Sequence, residues 1–196
     1  MHRLVLGSVS EGLVHTADRP VLIMRGGDAA WPPAQLVIGD DGSQDAARAV
    51  ELASTLAPLW GASATLVYAI PEQALASHRD ATFASVSPIF AVSGMASATL
   101  SEPTIHDGLL AQAQSALQGR AIALAGCIGS EPHVVTAFGD AAALLLDTAA
   151  ADPQPALLVV GSRGLGVIGR LRLGSISIKV LHAAPGAVLI VPTHQD

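Results

Sequence analysis

Residues 161–175 read GSRGLGVIGRLRLGS, with five glycines, three arginines and two serines between an apolar run, ALLVVG, and a segment of helical spacing. Glycines let backbone N–H groups approach an anion closely, and a helix start adds unpaired N–H groups and the positive end of a dipole. Two patterns compete here. Gly164, Gly166 and Gly169 fit the dinucleotide fingerprint G-x-G-x-x-G, but that fingerprint wants an acidic residue about 20 positions on, at the end of the next strand. That strand ends instead in Val191 and Pro192. Gly161, Gly164 and the pair Gly174-Ser175 form the other pattern, G-x2-G-x9-G-S, a phosphate cradle divided between the two ends of one loop. Ser175 and Ser177 bring hydroxyls to it, and Arg163 lies inside it, able to pair with phosphate oxygens.

Such a cradle needs strands and helices to position it. The run LVIGDDGS predicts a buried strand from about Leu36 to Gly39 and then a turn, with Ser43 capping a helix over Gln44–Trp60 that Gly61 ends. Next come a strand ATLVYAI and a Ser-, Ala- and Pro-rich stretch from Pro71 to Pro103, expected to be irregular or partly helical. A helix over about 105–125, the strand PHVVTAF, a helix capped by Asp140, the strand ALLVVG, a helix from Ser175 and a final strand AVLIV complete the chain. Strands alternating with helices predict βαβ units and a parallel sheet covered on both faces.

The chain also repeats itself. RLVLGSVSEGLVHTADRPVLIMR at residues 3–25 aligns without gaps to RLRLGSISIKVLHAAPGAVLIVP at 170–192, an offset of 167, and the two agree at about half their positions. His15 and His182 are equivalent in the two copies and are expected to pack or cap rather than catalyse. Residues 26–35, GGDAAWPPAQ, break regular structure and mark a boundary.

Taken in order, DGSQDAARAVELA, LVYAIPE, FGDAAALLL, VVGSRGLG and GSISIKVLHAAPGAVLIVP resemble the universal stress protein family, specifically its nucleotide-binding branch. The resemblance covers about residues 36–192. It implies an α/β fold with a five-stranded parallel sheet of order 3-2-1-4-5, helices on both faces, and an N-terminal helix and strand pairing at the sheet edge. It further implies three parts: residues 1–27 as the C-terminal remnant of an upstream domain of the same kind, 28–35 as linker, and 36–196 as a nucleotide-binding domain. By resemblance, Gly161, Arg163, Gly164, Gly174, Ser175, Ile176 and Ser177 surround phosphates and ribose. Gly39, Asp40 and Asp41 form the turn beside them, Asp41 near the ribose or a Mg2+ ion, and Ala69 borders the adenine. The sequence departs from the family at Asp40, where an apolar or small polar residue is common. Turned inward, this carboxylate would weaken ATP binding without a metal; strand alternation offers it the other face.

Composition excludes other classes. The formal net charge is -6, and basic residues are scattered apart from Arg163, Arg170 and Arg172, so nucleic-acid binding has little support. No apolar run reaches the roughly 18 residues of a membrane span, and the N-terminus lacks the core of a signal peptide, so a soluble cytoplasmic protein is expected. Cys127, the sole cysteine, is expected to pack in its Ala-rich helix, and thiolate zinc sites are excluded. No serine has the context of a nucleophile elbow. The expected function is ATP or other adenine-nucleotide binding in a stress-response regulator, with little or no hydrolysis and a homodimer or edge-strand-paired assembly. The alternative is a nucleotide-free dimerisation or scaffold module; a nucleotidyl-transfer enzyme and a dinucleotide-binding oxidoreductase stand further back.

Overall fold

The computed structural model describes residues 8–24, 31–74, 102–164 and 173–192. Five strands are parallel: β2 (Gln35–Gly39), β3 (Ser63–Ile70), β4 (His133–Phe138), β5 (Ala156–Gly161) and β6 (Ala187–Val191). A sixth, β1 (Val21–Ile23), runs antiparallel to β6, giving the order β1-β6-β5-β2-β3-β4. The parallel part therefore has the expected 3-2-1-4-5 order, but the sheet as a whole is six-stranded and mixed rather than five-stranded and parallel.

Strand residues alternate between two faces, and each face has its own core. Leu36, Ile38, Leu66, Ile70, Leu157 and Val159 point to α2 (Gln44–Trp60) and α3 (Glu102–Ile128). Val37, Val67, Leu158, Val160, Val188 and Ile190 point to α4 (Ala141–Ala151) and α5 (Ser175–Ala183), with Val14 of α1 (Ser8–Thr16) joining them. Buried on both sides, these strands read as continuous apolar runs. Helix α2 starts at Ser43, whose Oγ accepts from Ala46 N, and stops at Gly61 in the left-handed conformation.

On α3 the buried stripe is Leu109, Ala113, Leu117, Ala121 and Leu124. The helix is longer than the expected 105–125. Cys127 lies off this stripe, so its thiol is exposed rather than packed, while the next residue, Ile128, still packs against the core. Most of the Pro71–Pro103 excursion and the fingerprint glycines Gly166 and Gly169 lie outside the described residues.

The repeat is visible as geometry. Helices α1 and α5 have equivalent limits, offset by the same 167 residues, with His15 and His182 each in the last turn. The β1–β6 pairs are Val21 with Ile190, Leu22 with Leu189 and Ile23 with Val188. Exchanging each residue for its repeat equivalent maps this pairing onto itself, so a local two-fold axis passes between Leu22 and Leu189. Met24 follows the strand outside the pairing, and Arg25 lies outside the described residues.

Candidate functional site

Strands β2 and β5 are adjacent, and the crossovers leaving them go opposite ways along the sheet, which opens a crevice at their carboxyl ends. A cleft of about 800 Å³ occupies it. Its lining includes every residue proposed from the sequence: Gly39, Asp40, Asp41, Ala69, Gly161, Arg163, Gly164, Gly174, Ser175, Ile176 and Ser177. It also includes Tyr68, Glu72, Asp140 and Lys179, which sequence reasoning had not placed there.

The two ends of the loop are tied together. Ser162 N–H donates to Val191 O at 2.7 Å, and Gly174 N–H donates to Ser162 O at 2.6 Å. The Ser177 hydroxyl donates to Gly161 O at 2.7 Å, so its proton holds the loop end rather than facing the cleft. From α2, the buried Asp45 carboxylate accepts from Ser162 Oγ at 2.8 Å and from Arg163 N at 2.9 Å. Asp45 was missed because its partners lie more than a hundred residues away. Arg163 is thus fixed through its backbone, while its Nε is buried with no hydrogen-bond partner among the described residues.

Space requires glycine at 161, whereas a Cβ at 164 would have to displace only the tip of one side chain. A Cβ on Gly161 would stand 2.6 Å from Asp45 Cβ and 2.9 Å from Asp45 C, and one on Gly164 would stand 2.6 Å from Asp41 Oδ2. Gly161→Ala must therefore displace the first turn of α2, at a cost of about 2 kcal/mol. Urea denaturation should show a lower midpoint with an unchanged slope; an unshifted midpoint would mean that the loop yields freely.

Three helices begin at this edge of the sheet. Ser43 caps α2 and Asp140 caps α4, accepting from Ala142 N at 2.9 Å and Ala143 N at 3.0 Å, whereas α5 begins at Gly174 with no side-chain cap. The first N–H groups of α5 are therefore the ones left for an anion.

Four carboxylates line the cleft: Asp40, Asp41, Glu72 and Asp140. Asp40 is turned to the α2 and α3 face, on the same side of β2 as Leu36 and Ile38 and opposite to Gly39 and Asp41. Its side chain is fully buried, and Oδ1 accepts from Gly42 N–H and pairs with Arg120 of α3. The second option offered by strand alternation is the one adopted, with Arg120 as counter-charge. Asp41 Oδ1 accepts from Ser43 N–H at 3.0 Å, shaping the turn. Asp140 pairs with Lys179 of α5. That hydrogen bond, followed by the one from Ala143 N–H, holds the Asp140 carboxyl below its ordinary 3.8. A lowered carboxyl pKa stabilises the fold above the ordinary value and loses that contribution as pH falls through the folded one. At neutral pH the Asp140 carboxyl is therefore ionised.

With this geometry in view, the comparisons are direct. The model of the universal stress protein family matches residues 34–192. The chain belongs to the universal stress protein family. A universal stress protein of Mycolicibacterium smegmatis is 36% identical over 84 residues, which cover 40% of this chain and 27% of that protein. The chain thus matches about a quarter of that relative's length. The universal stress protein UspA from Lactobacillus plantarum superposes with TM-score 0.59 at 19% identity, covering 81% of this chain and 97% of that one. A universal stress protein from Archaeoglobus fulgidus gives TM-score 0.61 at 20% identity, covering 97% of this chain and 57% of that one. These two likenesses concern the fold. Among the described residues, no helix is long and apolar enough to cross a membrane.

Proposed function

We propose that this universal stress protein binds an adenine nucleotide in the β2–β5 crevice and acts through ligand-dependent shape or partner binding, with little or no hydrolysis. One observation carries the reading. The uncapped start of α5 adjoins a loop whose Gly161 leaves no room for a Cβ, and beside it Arg163 Nε is buried without a partner among the described residues. An anion at that point satisfies the helix start and the guanidinium together. Ala69 and Tyr68 border the same cleft and offer the less polar wall that a base needs. The carboxylates support binding over catalysis. Of the four cleft carboxylates, Asp40, Asp41 and Asp140 are tied to Arg120, Ser43 N–H and Lys179 and Glu72 is exposed, whereas hydrolysis wants a group poised to orient water. A Mg2+ ion would be held by Asp41 together with ligand phosphates and waters, in keeping with that ion's habit of using one or two carboxylates.

Calorimetry on the intact chain, with and without Mg2+, tests this reading. ATP should bind, and Gly174→Val should weaken binding about tenfold or more, because the added methyls press on Ser162 O and Arg163 Cα, which already lie 3.4 and 3.5 Å from a Cβ at that position. Equal and negligible binding by both proteins would instead favour the nucleotide-free scaffold reading, which draws on the two-fold pairing of β1 and β6. We also propose, from that pairing, that residues 1–27 are the closing unit of a second stress-protein repeat, joined through 28–35 to the domain at 36–196.

A further inference from the structure

Resting on the nucleotide-binding reading, we propose that Lys179 is the specificity-determining residue for the outer phosphates of the ligand, passing from Asp140 to a nucleoside di- or triphosphate when one binds. Lys179 is the only lysine in the chain. It stands four residues after Ser175 on α5, so the two share one helix face about 6 Å apart along the axis. Helical side chains lean toward the helix N-terminus, so the four-carbon stem runs back over the turn where an anion would be held. Both Lys179 and Asp140 line the cleft, and among the described residues Arg163 and Lys179 are its only lysine or arginine side chains.

The two cations differ in freedom. The Arg163 backbone is anchored to Asp45, and its Nε is buried, which makes it a fixed partner for the phosphate nearest the loop. The Lys179 side chain is 59% exposed and carries three rotatable donors on a flexible stem. Its departure does not strand Asp140, because Oδ1 keeps the Ala142 and Ala143 N–H groups at the start of α4, where a negative charge is favoured. The exchange trades one exposed ion pair for a charge-assisted bond to a more highly charged group. A monophosphate held by the α5 start and Arg163 offers no second anion for Lys179 to reach.

Affinity for ATP and AMP, measured on wild type, Lys179→Gln and Asp140→Asn, tests the assignment. Asparagine is as good an N-cap as aspartate, so Asp140→Asn keeps α4 capped while freeing the lysine. Lys179→Gln should lose about five- to tenfold in ATP affinity and hold AMP affinity within about twofold, an exposed charge-assisted bond being worth that much. Asp140→Asn should bind ATP about twofold more tightly and AMP unchanged. Because the chain has one lysine, an amine-acylating reagent followed by peptide mass spectrometry reads that side chain directly: ATP should protect it and AMP should not. If both nucleotides bind and the ATP-to-AMP ratio survives in Lys179→Gln, the lysine assignment fails while the binding reading stands. If wild type binds neither nucleotide, both fail together.

Discussion

Methionine in place of Arg120 is expected to destabilise the protein by about 3 kcal/mol, more than Gly161→Ala. Asp40 lies at the end of β2 with its side chain fully buried, and Arg120 is its counter-charge. Removing one partner of a buried pair costs roughly 3–5 kcal/mol because the other charge is left uncompensated. The low end applies, since the Arg120 side chain is itself 36% exposed and Gly42 N–H still donates to Oδ1. Among the described residues Asp40 Oδ2 already lacks a hydrogen-bond partner, so the carboxylate has little reserve. The decisive control adds Asp40→Leu to Arg120→Met. Leucine continues the face that Leu36 and Ile38 begin, and replacing both charges by apolar groups is often close to neutral. The double variant should therefore recover most of the lost stability in urea denaturation. A single variant as stable as wild type, or a double variant worse than the single, would show that the pair does not hold α3 to the cleft floor. Because Arg120 is on α3 and Asp40 lines the cleft, the same cycle asks whether α3 placement tunes the site: Arg120→Met should also weaken nucleotide binding, and the double variant should restore it.

The pair also shows where sequence reading stops. The strands were legible because LVIG, ATLVYAI, ALLVVG and AVLIV are apolar runs flanked by turn residues, and the cradle was legible because Gly161, Gly164 and Gly174 recur at fixed spacing after a strand. Strand order followed from the family resemblance, and edge pairing from the repeat. What could not be read were contacts between residues distant in the chain. Alternation left Asp40 two faces, and the choice depends on an arginine 80 positions later. Lys179 and Asp140 meet across 39 positions, joining a helix cap that was foreseen to a lysine whose place in the cleft was not. The exposure of Cys127 follows from its place off the buried stripe of α3, a stripe that the Ala-rich sequence does not mark sharply.

Deleting residues 1–27 is expected to convert the chain into a dimer or a larger assembly. In the intact chain every residue of β6 is buried, and its outer edge is paired with β1. Val14, only 4% exposed, shares a core with Val180, Leu181, Ala184 and Ile190, so losing α1 and β1 uncovers that apolar face as well as a row of backbone groups. An edge of this kind is a template for another strand. The local two-fold between Leu22 and Leu189 shows which strand fits: the β1 sequence is a near copy of β6, so a second β6 could occupy the same register in an isologous pair with Leu189 on the axis. Symmetry would improve the packing. Leu22 is 40% exposed while its equivalent Leu189, covered by α2, is 5% exposed; a second whole domain would set a Leu189 covered by its own α2 in that place. Light scattering after gel filtration should show a doubled mass for the truncated chain. A truncated chain as soluble as the intact one and unchanged in its association would mean that β1 is an accessory to the sheet rather than the occupant of a dimerisation edge.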